Sequence, residues 1–373
     1  MKPLKVIISG GGTGGHIFPA LAIADALKER CPDTDILFIG AKERMEMEKV
    51  PAAGYRIIGL PVSGFDRQHL WRNIGVVFRL IKSLFVAFFT VRRFAPDVAI
   101  GVGGYASAPT LKMASLMRIP TLIQEQNSYA GVTNQLLAAK AKRICVAYPG
   151  MEKFFPAEKI VMTGNPVRKE VIDIAGKRDE AVAFFNLDPK KKTILVLGGS
   201  LGARTMNNSI KNKLEAIQAD SGVQIIWQCG KFYYEDMAAL PGLQQVDNVH
   251  LYAFIARMDL AYSAADLIIS RAGAGSISEF CLLGKPVILV PSPNVAEDHQ
   301  TVNAQSLIKN KAAIMIADVS AENSLIDVAL ATIHNDVQLK ELGENVAKMG
   351  FTDSANRIVD EILTIAKKEG NES

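Results

Sequence analysis

The hydrophobic residues of this chain form short continuous runs that alternate with longer segments of helical spacing. The first run, Lys5–Ser9, stops at a glycine loop, and apolar residues at helical spacing follow over Ile17–Arg30. A strand, a tight turn and a helix in this order open a Rossmann-type unit. Runs of the same kind predict further strands at Ile36–Ile39, Val98–Val102, Thr121–Gln124 and Arg143–Ala147. Their alternation with helical stretches predicts a doubly wound parallel sheet.

The same pattern begins again in the middle of the chain. Thr193–Leu197 is a buried-strand run, Gly198–Gly202 is a second glycine loop, and a helical segment starts at Ala203. Further strands are predicted at Val223–Gln228, Val249–Tyr252, Leu267–Ser270 and Val287–Val290. The sequence therefore predicts an α/β protein with two Rossmann-like, doubly wound domains in tandem.

Chain length and a motif of glycine and proline indicate where the two domains divide. At 373 residues the chain is longer than one hydrophobic core usually serves. Gly164-Asn165-Pro166 is a plausible hinge, so we expect domains at 1–166 and 167–351. The polar run Lys177–Glu180 is expected to be a surface loop just beyond the hinge. A last helix is predicted over Ala355–Lys368, with no strand after it.

Composition and charge exclude some classes of function for this chain. The chain is 49% hydrophobic and 21% charged, and its net charge of +4 (pI about 8.7) is too weak to indicate a nucleic-acid partner. The N-terminus lacks the long apolar region of a signal peptide, so we expect a cytoplasmic protein. Four cysteines lie far apart without CxxC spacing, which is typical of small buried side chains in a reducing compartment. They are Cys31, Cys145, Cys229 and Cys281.

A basic, apolar stretch at Trp71–Phe94 has two interpretations. Arg79 and Lys82 interrupt it, so it is too short to span a membrane. Over the longer segment Phe65–Phe94, basic and apolar residues interleave as in an amphipathic helix that lies in an anionic membrane interface. The alternative is a core helix with solvated basic ends, because Leu84–Phe89 looks buried. The interleaved residues are Arg67, Arg72, Arg79, Lys82, Arg92 and Arg93 with Trp71, Ile74, Val77, Phe78, Ile81, Phe85 and Phe89.

The first glycine loop, Gly10–Gly15, is a candidate binding loop. Its backbone N–H groups can approach a phosphate or a sugar closely, and the following helix N-terminus favours negative charge. The spacing also satisfies GxGxxG, although a tight turn without any ligand explains it too. His16 follows the loop, and its ordinary pKa of about 6.5 suits a general base. A structural histidine is the alternative.

A second candidate site follows the strand at Leu267–Ser270. The small residues of Gly273–Ser276 leave a helix N-terminus open, so its N–H groups could hold a diphosphate. Glu279 lies about one turn further on and could accept hydrogen bonds from ribose hydroxyls. Alternatively, it closes a capping box with Ser276.

Polar residues after Val287–Pro293 extend this candidate site. Gln300 and Asn303 are placed to read sugar hydroxyls, and ordinary helix capping is the alternative. The sequence offers no metal-ligand cluster, and Asp33-Thr34-Asp35 lies in a turn after the first helix. We therefore expect no metal or cofactor. A helix dipole and Arg168 are candidates to carry the charge of a leaving group.

Seven motifs occur in an order that resembles the MurG family. That family adds N-acetylglucosamine to lipid I to make lipid II of peptidoglycan. The resemblance runs nearly end to end and implies a GT-B fold, in which two Rossmann-like domains face each other across a cleft. It also implies that the last helix, 352–373, packs back on the first domain. The motifs are GGGTGGHIFPALAIA, Gly103–Ser107, Glu125–Asn127, Gly164–Arg168, Gly198–Ala203, RAGAGSISE and EDHQTVNA.

The resemblance also implies roles for individual residues. The C-terminal domain would bind UDP-N-acetylglucosamine, with the backbone of Ile255 on uracil and Glu279 on ribose. Ser200, Arg168 and the loop Gly273, Ala274, Gly275 and Ser276 would hold the diphosphate. Gln300 and Asn127 would read the sugar, while Thr13, Gly14 and Gly15 lie against donor and acceptor. The family often carries two glutamines where this chain has His299-Gln300, so the role of His299 stays open.

The implied reaction is a single displacement that inverts the anomeric carbon. The C4 hydroxyl of N-acetylmuramic acid in lipid I would attack, with His16 as base, at the cytoplasmic face of the cell membrane. Three other functions are compatible with parts of the pattern. An NAD(P)-dependent oxidoreductase fits GxGxxG with Asp33 and Asp35, but not the second glycine loop or Glu279. A non-hydrolysing UDP-sugar epimerase would need no basic membrane surface. A nucleotide-sugar-binding protein without turnover leaves His16 unexplained.

Overall fold

A computed structural model describes residues 3–62, 74–199 and 201–370. The chain divides into two compact units, Met1–Arg168 with Thr352–Ser373 (unit 1) and Lys169–Phe351 (unit 2). The boundary lies two residues after the position expected from the hinge motif. The functions expected of the two domains stay predictions.

Unit 1 contains a parallel sheet in the order β3-β2-β1-β4-β5-β6-β7 across the described residues. Its strands are β1 (Lys5–Ser9), β2 (Asp35–Ala41), β3 (Arg56–Leu60), β4 (Val98–Gly101), β5 (Thr121–Glu125), β6 (Arg143–Val146) and β7 (Ile160–Met162). The helices between them are α1 (Gly14–Arg30), α2 (Glu46–Ala52), α3 (Ile74–Phe94), α4 (Ser107–Leu116) and α5 (Val132–Ala138). The strand order reverses between β1 and β4, where a Rossmann-type sheet binds its ligand.

Both faces of this sheet are buried, which explains the continuous apolar runs of its strands. Successive side chains of a strand point to opposite faces. Val6 and Ile8 of β1 therefore pack with α1, whereas Ile7 packs with Ala87 and Val91 of α3.

Unit 2 repeats this architecture with the described order β10-β9-β8-β11-β12-β13. Its strands are β8 (Lys192–Leu197), β9 (Val223–Gln228), β10 (Val249–Tyr252), β11 (Leu267–Ser270), β12 (Val287–Leu289) and β13 (Ile314–Met315). Its helices are α6 (Lys169–Ile172), α7 (Arg178–Phe185), α8 (Arg204–Lys211), α9 (Leu214–Ala219), α10 (Tyr234–Ala238), α11 (Met258–Ala264), α12 (Ala274–Leu283), α13 (His299–Lys309), α14 (Asp318–Ile333) and α15 (Asp336–Ala347). Short 3₁₀ segments lie in unit 2 at Leu243–Gln245 and Ala296–Asp298, and in unit 1 at Met151–Lys153 and Ala157–Lys159.

The last helix, α16 (Ser354–Gly370), packs against α1 in unit 1. Arg30 pairs with Asp360 at 2.6 Å, and Arg143 pairs with Glu361 at 3.0 Å. The buried aliphatic side chains of α16 join the cluster formed by β1 and α1. They are Ile358, Val359, Ile362 and Ile365.

The structure corrects several predicted boundaries. Helix α1 begins at Gly14 instead of Ile17, so Gly14 and Gly15 form its first turn. Lys177–Glu180 is not a loop, because it caps and begins α7. The strands β3, β7 and β13 were not predicted. Each pairs with a single neighbour at a sheet edge and is only partly buried, and β7 and β13 are only three and two residues long.

The cysteines are free thiols, as expected. Burial raises the pKa of Cys145 far above its usual range, that of Cys229 to about 11 and that of Cys281 to about 12. Only Cys31 is partly exposed. The three buried thiols therefore stay protonated and act as small apolar side chains.

Candidate active site

The first glycine loop is held by a buried carboxylate. Glu46, at the start of α2, accepts hydrogen bonds from the backbone N–H of Gly12 at 3.0 and 3.1 Å and of Ala41 at 2.8 Å. A Cβ on Gly11 would lie 2.0 Å from Glu46 Oε1, so only glycine fits there. The loop therefore depends on a side chain more than thirty residues away.

Glu46 argues against a dinucleotide at this loop. In a GxGxxG site the second glycine lets the backbone approach the pyrophosphate. Here the N–H of Gly12 already donates to a carboxylate, and the negative charge of Glu46 opposes a phosphate at that position. The N–H groups of Gly14 and Gly15 lie in the first turn of α1, where an intrahelical acceptor is lacking.

His16 lies at the start of α1 with its imidazole oriented by the loop. Its Nδ1 is 3.2 Å from the carbonyl oxygen of Gly11 and 3.2 Å from Thr13 Oγ1. A carbonyl oxygen can only accept, so the contact with Gly11 requires a proton on Nδ1. The lone pair is then on Nε2, which is the form that a general base needs.

The motif Gly103–Ser107 packs directly on His16. Gly103 has φ +92°, and a Cβ there would lie 2.9 Å from His16 Nε2. Gly104 has φ +82°, and its Cβ would lie 2.3 Å from the carbonyl oxygen of Gly11. Ser107 Oγ lies within hydrogen-bonding distance of the carbonyl oxygens of Ser9, at 2.9 Å, and Gly103, at 2.8 Å. These contacts pack the backbone of the motif closely against the imidazole of His16.

The motif Glu125–Asn127 forms a turn around a buried carboxylate. Glu125 accepts from the N–H of Asn127 at 3.0 Å, the N–H of Gly131 at 3.0 Å and Asn134 Nδ2 at 2.8 Å. Burial raises the pKa of Glu125, and these donors partly offset the shift. Glu125 therefore shapes this loop. Asn127, the residue predicted to bind the donor sugar, lies on the loop and is half-buried.

The motif Gly164–Arg168 is anchored in unit 1. Asn165 is buried, accepts from Gln124 Nε2 at 3.0 Å and donates to the carbonyl oxygen of Gln126 at 3.0 Å. The guanidinium of Arg168 lies 4.7 Å from the ring centre of Phe18 in α1, a cation–π contact. The structure thus brings Arg168 close to the turn that follows His16.

In unit 2 the second glycine loop and the N-terminus of α12 both lie at carboxyl ends of strands. Gly202 has φ +84°, and a Cβ there would lie 2.1 Å from the carbonyl oxygen of Cys229. Ser200, a predicted diphosphate contact, lies outside the described residues. The structure therefore shows a tightly packed loop at this edge but leaves that contact a prediction.

The N-terminus of α12 carries the predicted diphosphate loop. Gly273 is its N-cap in an extended conformation without a side-chain cap, and Ala274, Gly275 and Ser276 form the first turn. A Cβ on Gly275 would meet no atom within 4 Å, so this turn is open. The capping-box alternative is wrong, because Ser276 is the third residue of the helix and Glu279 the sixth.

The predicted nucleoside contacts both connect to α11. Glu279 is half-buried and accepts a 2.5 Å hydrogen bond from the hydroxyl of Tyr262 in α11. The side chain of Ile255 is buried in the core, while its backbone N–H and carbonyl make no hydrogen bond within the described residues. Ile255 is only 3% exposed, and the contact of its backbone with uracil stays a prediction.

The two residues predicted to contact sugar hydroxyls, Gln300 and Asn303, have different surroundings. Gln300 Oε1 accepts from the N–H of Ala272 at 3.2 Å and of Ser292 at 2.8 Å, which ties together the loops after β11 and β12. The amide oxygen is thus engaged, and Nε2 is the group of Gln300 that suits a sugar hydroxyl. Asn303 is buried and donates to the carbonyl of Ala272, which gives it a structural role.

Strained backbone precedes α13. Glu297 and Asp298 have φ of +54° and +48°, in the left-handed region that such residues rarely adopt. Strain of this kind is often concentrated at ligand-binding segments. His299, the first residue of α13, is half-buried, and its role stays open.

The sequence analysis missed Glu46 and Tyr262. Glu46 lies in a charged segment, 42–49, which resembles a solvated surface. Tyr262 lies in an apolar helix and looks like an ordinary core residue. Each role depends on a contact with a distant residue, so no local pattern signals it. Within the described ranges, no three His, Cys, Asp or Glu side chains converge as metal ligands.

Helix α3 carries an apolar stripe on its exposed side. Ser83, Ala87 and Val91 are buried, and the opposite side presents Phe85 and Phe89, 62% and 64% exposed. The core-helix alternative is therefore wrong for this stripe, which consists of Phe78, Ile81, Phe85 and Phe89. The cationic residues Arg79, Lys82, Arg92 and Arg93 are exposed, whereas Arg67, Trp71 and Arg72 lie outside the described residues. Among the described residues, none of the helices combines the length and apolarity that crossing a bilayer requires.

Comparison with known proteins identifies the family. Residues 6–146 match the glycosyltransferase family 28 N-terminal domain, and residues 193–358 match the glycosyltransferase family 28 C-terminal domain. A relative from Parabacteroides distasonis is 61% identical over 99% of this chain and 100% of its own. It is named UDP-N-acetylglucosamine–N-acetylmuramyl-(pentapeptide) pyrophosphoryl-undecaprenol N-acetylglucosamine transferase. The crystal structure of Acinetobacter baumannii MurG is 30% identical, with a TM-score of 0.77, over 97% of this chain and 100% of that one. The chain belongs to the MurG family.

This membership confirms the predicted family, the α/β fold class with two Rossmann-like domains, and the enzyme class of hexosyltransferase. A UDP-GlcNAc 2-epimerase from Neisseria meningitidis shares the fold, with a TM-score of 0.69 over 97% of this chain and 100% of that chain, but only 14% identity. That likeness concerns architecture alone. The predicted roles of individual site residues stay predictions.

Proposed function

We propose that this MurG-family member transfers N-acetylglucosamine from UDP-N-acetylglucosamine to lipid I, the undecaprenyl-pyrophosphoryl N-acetylmuramyl-pentapeptide. The product is lipid II, the building block of peptidoglycan. The observation that carries the proposal is 61% identity, from end to end, with a transferase named for this reaction. Family 28 domains matched in both halves of the chain support the same reaction class.

The proposed chemistry is a single displacement with His16 as base. Nε2 of His16 takes the proton of the acceptor C4 hydroxyl as that oxygen attacks C1 of the donor sugar. The bond from C1 to the β-phosphate oxygen breaks, and UDP leaves with the electron pair. Attack from the opposite face turns the α-linked donor into a β1→4 product. The Gly11 carbonyl supports this role because it keeps the proton on Nδ1.

The donor is proposed to bind unit 2 by its nucleotide. The backbone of Ile255 offers one donor and one acceptor, which match O4 and N3–H of uracil. Glu279 accepts from the ribose hydroxyls. The first turn of α12, Gly273–Ser276, directs N–H groups and the positive end of a helix dipole at the diphosphate. Ser200 and Arg168 are assigned to the same diphosphate.

The sugar and acceptor contacts complete the assignment. Gln300 would donate through Nε2 to a sugar hydroxyl, and Asn127 lies on the turn that Glu125 shapes. Thr13, Gly14 and Gly15 begin α1 beside His16 and are assigned to the donor and acceptor.

The proposed location is the cytoplasmic face of the cell membrane, where α3 attaches peripherally. Four apolar side chains on its exposed side would insert among lipid chains, while Arg79, Lys82, Arg92 and Arg93 contact anionic head groups. The four side chains of the stripe line a groove of about 650 Å³, together with Lys82, Val86 and Thr90. An enzyme whose acceptor is linked to a membrane lipid would need such a membrane-binding surface.

The decisive experiment is transfer of labelled N-acetylglucosamine from UDP-N-acetylglucosamine to a lipid I analogue, with and without EDTA. We expect a β1→4-linked product in both cases, because the proposed diphosphate contacts are a helix N-terminus and an arginine. Donor binding without transfer would reject this acceptor and favour a UDP-sugar epimerase. Loss of activity in EDTA would reject the metal-free handling of the leaving group.

The membrane proposal is tested by flotation with liposomes. Binding should require anionic lipid and weaken as salt rises, because cationic side chains contribute about 1 kcal/mol each near such a surface. Phe85→Ser with Phe89→Ser should reduce flotation. A matched double substitution at two exposed apolar positions of unit 2, Phe184→Ser with Val319→Ser, should not. Salt-independent binding would contradict the proposal.

A further inference from the structure

A buried tyrosine contacts the predicted ribose reader. The hydroxyl of Tyr262 donates to Glu279 Oε2 at 2.5 Å. Tyr262 lies in α11 and Glu279 in α12, so the contact joins the helices that precede and follow strand β11 in the chain. Tyr262 is 2% exposed, whereas Glu279 is half-buried. The tyrosine therefore approaches the carboxylate from the protein interior.

The aromatic ring of Tyr262 is itself rigidly placed. It packs edge-on against Phe280, with ring centres 6.0 Å apart and planes at 89°. A tyrosine held in this way offers its hydroxyl in one direction only. A hydrogen bond to an ionised acceptor is stronger than one between neutral groups, so it restricts the rotation of the carboxylate.

We propose that Tyr262 is a positioning residue that aims Glu279 at the ribose, and so sets the preference of this enzyme for ribonucleotide donors. The proposal deepens the function proposed above and rests on it. A carboxylate can bind two adjacent hydroxyls only when its plane is set correctly. The hydroxyl of Tyr262 supplies that orientation without touching the donor.

The test compares donors that differ only in the ribose. Full-length wild-type protein and Tyr262→Phe are assayed for transfer from UDP-N-acetylglucosamine and from its 2′-deoxy and 3′-deoxy analogues. With the ribose donor, Tyr262→Phe should lower kcat/KM about tenfold, chiefly through KM. With the deoxy donors it should change kcat/KM by less than about twofold. The selectivity of the enzyme for ribose should therefore shrink.

Matched variants separate positioning from a general structural effect. Tyr252→Phe is the control, because Tyr252 packs beside the same hydrophobic cluster and its side-chain hydroxyl makes no hydrogen bond within the described residues. This substitution should leave selectivity unchanged. Phe280→Leu removes the ring beside Tyr262 but keeps the hydroxyl, and it should weaken selectivity partially. It also serves as the test if Tyr262→Phe does not fold. An equal loss with all three donors would overturn the proposal.

Two further outcomes distinguish this proposal from the one it rests on. A wild-type enzyme that does not discriminate between ribose and deoxyribose donors overturns the role of Tyr262 while the transferase function stands. A wild-type protein without transfer overturns the function. Calorimetric binding of UDP and 2′-deoxy-UDP to both proteins then decides the role of Tyr262, because the same selectivity must appear in Kd.

Discussion

At the residue scale, the orientation of His16 is the feature on which the proposed chemistry depends. Its Nδ1 faces the Gly11 carbonyl, which places the basic lone pair on Nε2. We expect His16→Ala to lower kcat by roughly 10²–10⁴-fold, the usual contribution of general-base assistance. Binding of UDP, measured by calorimetry, should change little because the uracil and ribose contacts are assigned to Ile255 and Glu279 in unit 2 and the diphosphate contacts to residues other than His16. An unchanged kcat would remove His16 from the mechanism.

Gly103 gives a second, independent test of the role of His16, because its backbone packs against the imidazole. A methyl group at this position would lie 2.9 Å from Nε2 and 2.8 Å from Cδ2 of His16. We expect Gly103→Ala to lower kcat about a hundredfold or more by displacing the base or blocking the acceptor. Transfer assays and UDP binding are the measurements, with binding again near wild type.

The control for Gly103→Ala is Gly54→Ala, which places a side chain on a similarly left-handed backbone but without a contact to His16. Gly54 has φ +84°, and a Cβ there would meet no atom within 4 Å. Gly54→Ala should lose about 1–2 kcal/mol of stability through its left-handed backbone and keep its activity. Equal loss of activity in both variants would show that strain, and not the contact with His16, is responsible.

At the element scale, the short helix α11 supports both predicted nucleoside contacts. Its Tyr262 reaches Glu279, and its Asp259 accepts from Arg257 at 3.0 and 2.9 Å and from Lys177 at 3.3 Å. Arg257 lies two residues after Ile255, so this ion pair restrains the segment that would read uracil. We expect Asp259→Asn to raise the KM for the donor several-fold and to cost about 1–3 kcal/mol of stability.

The pH dependence of that stability cost has a definite sign. The Arg257 guanidinium, hydrogen-bonded to Asp259, holds the pKa of that carboxyl well below its usual range. A depressed pKa stabilises the fold above the unfolded value of about 4, and the contribution is lost as the pH falls through the folded value. Urea unfolding at pH 7 and pH 3 should therefore show a smaller gap between wild type and Asp259→Asn at pH 3. A gap independent of pH would contradict the ion-pair account.

Predictability differed between elements for a physical reason. Central strands such as β1, β9 and β11 were predicted to the residue, because burial on both faces produces an uninterrupted apolar run. The edge strands β3 and β13 were missed, although the edge strand β10 was predicted to the residue. Strand β13 is only two residues long, and β3 is only partly buried over most of its length. The exposed stripe of α3 needed the structure too, because periodicity alone does not say which face of a helix is covered.

At the scale of the whole molecule, the last helix belongs to unit 1 although it follows unit 2 in the chain. Four aliphatic side chains of α16 are buried against unit 1, each contributing roughly 1.5–3 kcal/mol. That sum is comparable with the whole stability of a domain. We expect a chain ending at Phe351 to lose the cooperative unfolding transition of unit 1 and to keep that of unit 2, as measured by calorimetry.

The substitution Asp360→Ala separates the stability contributed by the buried aliphatic side chains of α16 from that contributed by its ion pairs. Arg30 and Asp360 are both largely exposed, so Asp360→Ala should cost less than about 1 kcal/mol. Two intact transitions in the truncated chain would show that unit 1 does not need α16.

The sequence by itself determined the family, the two repeated α/β units and the order of the motifs, because these depend on local spacing and on continuous apolar runs. It also supplied the candidate residues His16, Glu279 and Gln300. Only the tertiary structure decided how these residues are held: Glu46 beneath the first glycine loop, Gly103 beside His16, Tyr262 behind Glu279, and two backbone donors on Gln300. Each of these contacts joins residues far apart or on different elements. Their side chains meet only after the strands have paired and the helices have packed, and no spacing along the chain encodes such a meeting.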